Sequence, residues 1–534
     1  MTGQSDMTGR PEAAGPPGDT GRPDATGKPG PKEKSGATQS YMGLIVKNAG
    51  IDGVGTAFNI VIMFVSGVII TRTIGADLFG KYSLSKSIFD VLAVFAVFGL
   101  NTGVVKLTSK YTALRDRSSV KGTLLSGMAI SATLSALIVL LVLALAPLLA
   151  NHVFEKVDGI GLVLRIHFLG LPFFALMMVA NGYTQGLKTL KYSALVELIA
   201  RPVIRLAVIL VLFLAGLKLF AVVFGSMISF FLAAVLAFYF ARKISPFRFG
   251  NVPNKWVTRE LFYYSLPLVL ARFMNMSIAR SNTILVGFFK DSTSTGLFGA
   301  AVMLSPFISL SLISFGKIFA PVISELWETQ QYEELKQTFK TVSKWILSLG
   351  YPIFLIIMLF ATSLLKVFGP EFASAAPTLR LLAVGQIVNA AVGPAGFMLS
   401  MTGRQKLNMV NSIGLAVLNI VLNLLMIPRY GIAGAALATT IALGLINLAR
   451  VIQVKLLYGF TPFRSDIYKP LLSGTIALAL FYFLKALLGW DDVVRTLVLC
   501  AAFLIVYFVL LFLFGLREEK QVLLEILKRR KQTE

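Results

Sequence analysis

Long apolar stretches fill most of residues 41–516, and short basic or Gly/Pro-rich connections separate them. A helix needs roughly 20 apolar residues to cross the hydrocarbon core of a bilayer. Stretches such as 124–150, 207–240 and 497–516 are long enough, the second as two helices. The mean hydropathy of +0.76 and a charged fraction of only 14% exclude an ordinary water-soluble domain. Because every backbone donor in lipid must be satisfied inside its own segment, we predict that the stretches are helices.

The pattern predicts an all-α integral membrane protein with about 14 transmembrane helices. The predicted spans are residues 47–73, 82–107, 122–150, 160–184, 191–215, 218–241, 260–289, 296–325, 342–368, 376–402, 407–428, 431–457, 467–488 and 494–516. Residues 1–40 are rich in Gly, Pro, Thr and charge and hold too little apolar surface to offset the entropy of ordering. We therefore predict a disordered cytosolic tail there.

Basic residues are concentrated in the even-numbered loops between the predicted spans. The loop after the second span carries Lys106, Lys110, Arg115, Arg117 and Lys121. In the odd-numbered loops a basic residue such as Lys156 or Arg429 stands nearly alone. Lys and Arg mark the cytoplasmic side, so both termini are predicted to be cytosolic, including a basic tail at 517–534. The net charge of +24 is then a sign of topology, and we predict no nucleic-acid partner.

The two halves of the chain resemble each other. Gln185-Gly186-Leu187-Lys188 is echoed by Thr402-Gly403-Arg404-Gln405, and each precedes a pair of apolar spans. The copies lie about six spans apart, an even number, so they share one orientation. Parallel repeats predict two bundles around a central cavity. We predict a six-helix N-lobe at 41–245, a six-helix C-lobe at 255–460, and two additional helices at 463–516.

Several short motifs resemble those of the polysaccharide exporters in the multidrug/oligosaccharidyl-lipid/polysaccharide superfamily. The first span of that family ends in an Arg, an Ile/Leu-Gly and a Gly-x-Tyr-Ser; here the run is Arg72-Thr73-Ile74-Gly75-Ala76-Asp77-Leu78-Phe79-Gly80-Lys81-Tyr82-Ser83. The Gln185–Lys188 turn and Tyr264-Ser265-Leu266-Pro267-Leu268 are also similar to the family pattern. The resemblance implies two lobes in a V that alternate between inward and outward openings, and a flippase for polyprenyl-linked oligosaccharides. Drug exporters share this fold, so the fold alone does not fix the substrate.

Two arginines in the seventh span are the first candidates for binding a phosphorylated headgroup. Arg272 and Arg280 lie eight residues apart, about 80° around a helix, and no acidic residue occurs between Leu261 and Phe289. Arg is the best phosphate ligand because its guanidinium binds two oxygens at once. The alternative is that each arginine snorkels to the interface or forms an ion pair with another helix.

The fifth span carries Glu197, Arg201 and Arg205 at positions i, i+4 and i+8. That spacing stacks the three side chains on one helix face. We interpret Glu197 and Arg201 as a structural ion pair, which leaves Arg205 as a further candidate for substrate binding. Arg72, which begins the Arg72–Ser83 motif, is the fourth candidate for substrate binding.

Asp52 and Asp90 are candidates for coupling transport to H⁺ or Na⁺, because a carboxylate in a membrane helix marks a functional site by default. Asp52 instead fits the interfacial zone equally well. Asp90 has Lys86 four residues earlier and Arg72 as a second possible partner. The local pair with Lys86 is the favoured interpretation of Asp90.

The sequence predicts a transporter, not an enzyme. It holds one cysteine, two histidines, no zinc-ligand cluster and no Walker A loop, so no metal or cofactor is expected. We predict a plasma-membrane monomer that flips a lipid-linked (polyprenyl phosphate or diphosphate) oligosaccharide, with membrane lipid as its other partner. The alternative is a cation-coupled multidrug or metabolite exporter of the same fold.

Overall fold

The computed structural model describes residues 31–247, 249–488 and 493–515, and the protein is all-α in these ranges. The helices are α1 (Pro31–Val97), α2 (Leu100–Ala113), α3 (Arg117–Leu148), α4 (Ile160–Phe168), α5 (Leu171–Gly186), α6 (Leu190–Ala194), α7 (Arg201–Leu214), α8 (Lys218–Ile244), α9 (Thr258–Phe289), α10 (Ser292–Leu304), α11 (Leu310–Glu328), α12 (Tyr332–Lys366), α13 (Ala376–Val392), α14 (Ala395–Met401), α15 (Gln405–Tyr458), α16 (Tyr468–Leu488) and α17 (Val493–Gly515). The basic tail predicted at 517–534 lies outside the described residues.

Two helices reverse direction at a glycine and so cross the membrane twice. Gly75 in α1 has φ 74° and Gly431 in α15 has φ 59°. These left-handed values favour glycine because a Cβ would clash with the backbone. Counting both arms of α1 and α15, and joining α1 to α2, α4 to α5, α6 to α7, α10 to α11 and α13 to α14, the described residues form the 14 crossings that the sequence predicts.

Ten helical ranges in the described residues are long and apolar enough to cross a membrane when judged by length and composition. Two of these ranges are the doubled crossings of α1 and α15. The crossings that do not meet the criterion are α6–α7 and α9. These two crossings carry Arg201, Arg205, Arg272 and Arg280, four of the candidate site residues.

The N-terminal segment differs in part from the prediction. Helix α1 begins at Pro31, so the last ten residues of the predicted tail are helical. Proline suits the first turn of a helix because its missing N–H has no intrahelical acceptor there. Residues up to Ile51 form a unit of their own, and the rest of the chain forms a second unit that contains all the contacts described below. Residues 1–30 lie outside the described part.

Each lobe is a bundle in which one helix packs against several others. In the N-lobe α5 packs on α2, α3 and α8, and in the C-lobe α13 packs on α12 and α15. The last two helices, α16 and α17, pack against α12, where the Tyr507 hydroxyl donates a hydrogen bond to the Ser348 carbonyl at 3.0 Å. A buried Lys344–Asp466 ion pair of 2.5 Å also joins α12 to the segment before α16.

The lobes contact each other at both ends. At the end predicted to be cytosolic, Lys110 forms a 2.7 Å ion pair with Glu260 at the start of α9. At the opposite end, Arg72 Nε donates to the Val367 carbonyl at 2.7 Å, and the Ala76 N–H donates to Glu371 Oε1 at 2.7 Å. The space between these contacts holds the candidate site.

Candidate functional site

Two adjoining pockets occupy the middle of the protein, where the reversed helix α1 meets α7 and α9. Both are lined by Met63, Tyr82, Lys86 and Arg205. Asp90 and Arg201 line only the first, and Arg280 only the second. The charged lining of the two together is four cations and one carboxylate. We call Lys86, Arg201, Arg205 and Arg280 the central basic cluster.

Asp90 connects the two lobes through the central basic cluster. Its Oδ2 lies 2.6 Å from Lys86 Nζ and 2.8 Å from Arg280 Nη2. Lys86 is on the second arm of α1 in the N-lobe, and Arg280 is on α9 in the C-lobe. The local pair with Lys86 is present, and a second, interlobe pair accompanies it. The buried Nε–H of Arg280 has no hydrogen-bond acceptor, so one donor of its guanidinium is available to a ligand.

Arg205 reaches the pockets from α7. Its Nη2 donates to the Tyr82 hydroxyl at 2.7 Å and its Nε donates to the Ser226 hydroxyl at 3.3 Å. Both partners are neutral, so the positive charge of Arg205 is oriented but is not neutralised. This geometry suits an anion that approaches from the pocket side.

Glu197 and Arg201 do not form the ion pair that the i, i+4 spacing predicts; within the described residues no contact of 4.0 Å or less joins their charged atoms. Leu195–Ala200, the segment that carries Glu197, is a π-helical turn. Arg201 lines the first pocket and is therefore part of the central basic cluster. The interpretation of Glu197 and Arg201 as a structural pair stays a prediction.

Two other candidates lie apart from the pockets. Arg72 is exposed at the end of the first arm of α1, where it bonds to Val367, and lines neither pocket. Arg272 is exposed on α9 and is likewise absent from both linings. The side chain of Asp52 lies outside the described residues. The structure therefore brings Arg280, Arg205, Arg201 and Asp90 together at the pockets, and it places Arg72 and Arg272 outside them.

Sequence reasoning treated Lys86 only as a partner of Asp90 and did not single out Tyr82. Lys86 lines both pockets, and the Tyr82 ring and hydroxyl hold Arg205. A signal was available, because both residues follow the Gly75 reversal and lie one turn apart on the second arm of α1. His167 also lines the first pocket, but its ring stacks on Phe89 with centroids 4.8 Å apart, and Nδ1 lies 2.9 Å from the Ser85 hydroxyl.

The second pocket provides ≈ 210 Å³ and adjoins an apolar groove. That volume is below the roughly 300–1,000 Å³ of typical small-molecule sites, so it suits one charged group better than a whole oligosaccharide. Met63 and Met303 line both this pocket and the groove between α1 and α10–α11, which is walled by Ile60, Phe64 and Phe307. The charged second pocket and the apolar groove thus adjoin at Met63 and Met303.

The architecture defines the class of the protein: a multi-pass membrane transporter of the multidrug/oligosaccharidyl-lipid/polysaccharide superfamily, with two lobes around a central cavity. A family model described as "Polysaccharide biosynthesis protein" matches residues 45–327, and one described as MatE matches residues 267–425. The first covers more than half of the chain, which therefore belongs to the polysaccharide biosynthesis protein family.

Three known proteins illustrate the relationship. The chain is 25% identical over 419 residues to stage V sporulation protein B of Bacillus subtilis, covering 73% of this chain and 80% of that protein. It is 23% identical to the probable low-salt glycan biosynthesis flippase Agl15 of Haloferax volcanii, covering 44% and 50%. The structure of the lipid II flippase MurJ, in an inward closed conformation, matches with a TM-score of 0.66 at 18% identity, covering 88% of this chain and 99% of that one.

Proposed function

We propose that the protein flips a lipid-linked oligosaccharide across the plasma membrane and that the central basic cluster binds the phosphate or diphosphate of the lipid carrier. The observation that carries the proposal is the charge of the pockets: four cations and one carboxylate line them, on helices that we expect to cross the membrane. An uncompensated cation there costs roughly 2.5–3.5 kcal/mol on insertion scales. A site that retains four of them is suited to an anion. The glycan flippase among the relatives supports this class of substrate.

In this mechanism Asp90 acts as a placeholder: its carboxylate pairs with the cations that bind the phosphate of the substrate. With no substrate bound, its carboxylate holds Lys86 and Arg280 together. A phosphate carries more charge and more acceptor oxygens than one carboxylate, so it displaces Asp90 from Arg280 and weakens the bridge between the lobes. Binding at the site thereby releases a contact that holds this conformation.

The polyprenyl chain and the sugar of the bound substrate extend from the pocket in different directions. The polyprenyl chain lies in the apolar groove beside Phe64 and Phe307 and continues into lipid, while the sugar stays in the aqueous space between the lobes. An inside-negative potential favours outward movement of negative charge by about 2.3 kcal/mol per charge per 100 mV. With both termini cytosolic, as the basic loops predict, this potential drives export. A single copy of the chain contains the whole pathway, so the protein works as a monomer.

Binding measurements on purified protein in nanodiscs test the proposal. Arg280→Gln removes one charge-assisted interaction worth roughly 1.5–3 kcal/mol, so the affinity for a polyprenyl diphosphate falls by about 10–100-fold. Arg165→Gln, at an exposed arginine of α4 that lines neither pocket, leaves it unchanged. Equal affinities of the Arg280 variant and wild type would remove the cluster from the site.

The alternative is a cation-coupled exporter, which the match of residues 267–425 to the MatE family model favours. Such a protein needs a carboxylate that is free to bind H⁺ or Na⁺. Asp90 already has two cationic partners, which lowers its affinity for a third cation. A deletion strain separates the two functions: lipid-linked glycans accumulate if the protein is the flippase, whereas unchanged glycans with new drug sensitivity indicate the exporter.

A further inference from the structure

Arg450 is a second cationic group inside the membrane domain, far along the chain from the central basic cluster. It lies on the second arm of α15, eight residues before that helix ends at Tyr458. Its Nη1 lies 3.5 Å from Asn447 Oδ1, and its Nη2 lies 3.5 Å from Asn408 Oδ1. The buried Nε–H has no acceptor at all. Ordinary N–H···O bonds measure 2.7–3.2 Å, so this guanidinium is weakly coordinated.

Other arginines of the protein have closer partners. Arg280 lies 2.8 Å from Asp90, Arg205 lies 2.7 Å from the Tyr82 hydroxyl, and Arg72 lies 2.7 Å from the Val367 carbonyl. No carboxylate of the described residues lies within 4.0 Å of Arg450. Arg450 is half-buried, and a charge inside a membrane domain without a counter-charge is costly, so such groups are normally paired.

The neighbours of Arg450 are neutral amides that are fixed by bonds of their own. Asn408 Nδ2 donates to the Ser400 hydroxyl at 2.9 Å, and Asn447 Nδ2 donates to Asn389 Oδ1 at 3.1 Å. Gly396 faces the guanidinium, and a Cβ at this position would lie 3.7 Å from Arg450 Cζ. The same Cβ would lie 3.6 Å from Asn408 Oδ1, so the glycine leaves room for a small group beside both the guanidinium and this amide.

We propose that Arg450 is the centre of a second anion site, in the C-lobe and separate from the central basic cluster. The ligand is an oxyanion, a phosphate or carboxylate, which the Nε–H would receive beside Gly396. Eight residues of helix correspond to about 12 Å, so the site lies near the end of the lobe that the charge distribution predicts to be cytosolic. The oxyanion comes either from the charged head of the lipid-linked substrate or from free inorganic phosphate.

The test uses a background in which the central basic cluster is weakened, so that its outcome is independent of the proposed function. The full-length R205Q/R280Q variant is purified, and its thermal midpoint is followed as inorganic phosphate replaces chloride at constant ionic strength. We expect a saturable rise in this variant. Adding R450Q weakens the apparent phosphate affinity by at least about tenfold, and R450K instead of R450Q retains most of it. A response that R450Q leaves unchanged would overturn the proposal.

A second variant keeps the test decisive if R450Q does not fold. Gly396→Val retains the charge and fills the open side of the guanidinium, so phosphate binding weakens; unchanged binding counts against the site. Competition then identifies the source of the oxyanion. If a polyprenyl diphosphate displaces phosphate from R205Q/R280Q, Arg450 binds the charged head of the substrate. If a saturating amount of the lipid leaves phosphate binding unchanged, the site binds the free anion.

Discussion

At the scale of single residues, the contacts of Asp90 explain why the central site stays intact without substrate. Its Oδ2 is the shared counter-charge of Lys86 and Arg280, which belong to different lobes. Without it, like charges would repel across the pocket. In the proposed mechanism the same carboxylate competes with the substrate phosphate for these two cations.

Asp90→Asn tests both roles. The substitution leaves two cations without their shared counter-charge, and breaking a buried ion pair costs roughly 3–5 kcal/mol, with a smaller loss expected in a hydrated pocket. We expect a lower thermal midpoint in detergent. Inorganic phosphate should raise the midpoint of this variant more than that of wild type, because it replaces the missing carboxylate. An equal phosphate response in the two proteins would contradict the placeholder role.

Asp116 has a residue-scale role outside the membrane spans, as the N-cap of α3. Its carboxylate accepts hydrogen bonds from the Ser119 hydroxyl at 2.6 Å and the Ser119 N–H at 3.0 Å. These bonds hold the pKa of Asp116 below its ordinary value of 3.8. A carboxyl whose pKa is depressed by folding stabilises the protein above its unfolded pKa, and this contribution is lost as the pH falls through the folded pKa.

Asp116→Ala should therefore destabilise the protein at neutral pH by roughly 0.5–2 kcal/mol, the usual cost of losing an N-cap. The difference from wild type should shrink as the pH falls below 3.8, the ordinary pKa of the carboxyl in the unfolded chain, because the unfolded protein then takes up a proton before the folded one does. Hydrogen exchange of the first turn of α3, measured at both pH values, reports the difference. A constant difference would mean that packing, and not the ionised cap, stabilises this turn.

At the scale of elements, the two lobes meet where backbones touch. A Cβ on Gly80 would lie 1.7 Å from the Ser292 carbonyl oxygen, and one on Gly296 would lie 2.0 Å from the Ala76 carbonyl oxygen. The second arm of α1 and the helix α10 can approach this closely only because both positions are glycine. This contact closes the end of the cavity opposite the basic loops.

Gly80→Ala should therefore force α1 and α10 apart. We expect faster hydrogen exchange in residues 74–82 and a lower thermal midpoint. Gly414→Ala in α15 is the matched control: nothing lies within 4 Å of its Cβ, and alanine favours a helix over glycine by up to about 1 kcal/mol. Exchange in residues 74–82 that is the same in both variants would show that the glycine contact is not limiting.

The elements also show what the sequence can and cannot predict. Apolar length and glycine spacing were sufficient for the 14 crossings, because lipid permits few alternatives to a helix. The π-helical turn at Leu195–Ala200 was not predictable, since its residues also suit an α-helix. The interlobe Asp90–Arg280 contact could not be predicted for a different reason. Its partners are 190 positions apart, and helical spacing relates only residues a few positions apart.

At the scale of the whole molecule, the central basic cluster is built from residues of both lobes. The N-lobe supplies three of its four cations and the C-lobe supplies Arg280. In the proposed mechanism, movement of one lobe against the other changes the spacing between these groups, so we expect the affinity for an anion to differ between the inward and outward states. Such a difference would couple binding to alternating access.

Translocation of a fluorescent polyprenyl diphosphate-linked glycan in proteoliposomes tests the central claim most directly. Wild type and Arg165→Gln should move the lipid at equal rates. Arg280→Glu, which reverses one charge beside Asp90, should abolish movement while the protein remains folded and monodisperse. Transport by the Arg280→Glu variant at the wild-type rate would contradict the assignment of the central basic cluster as the headgroup site.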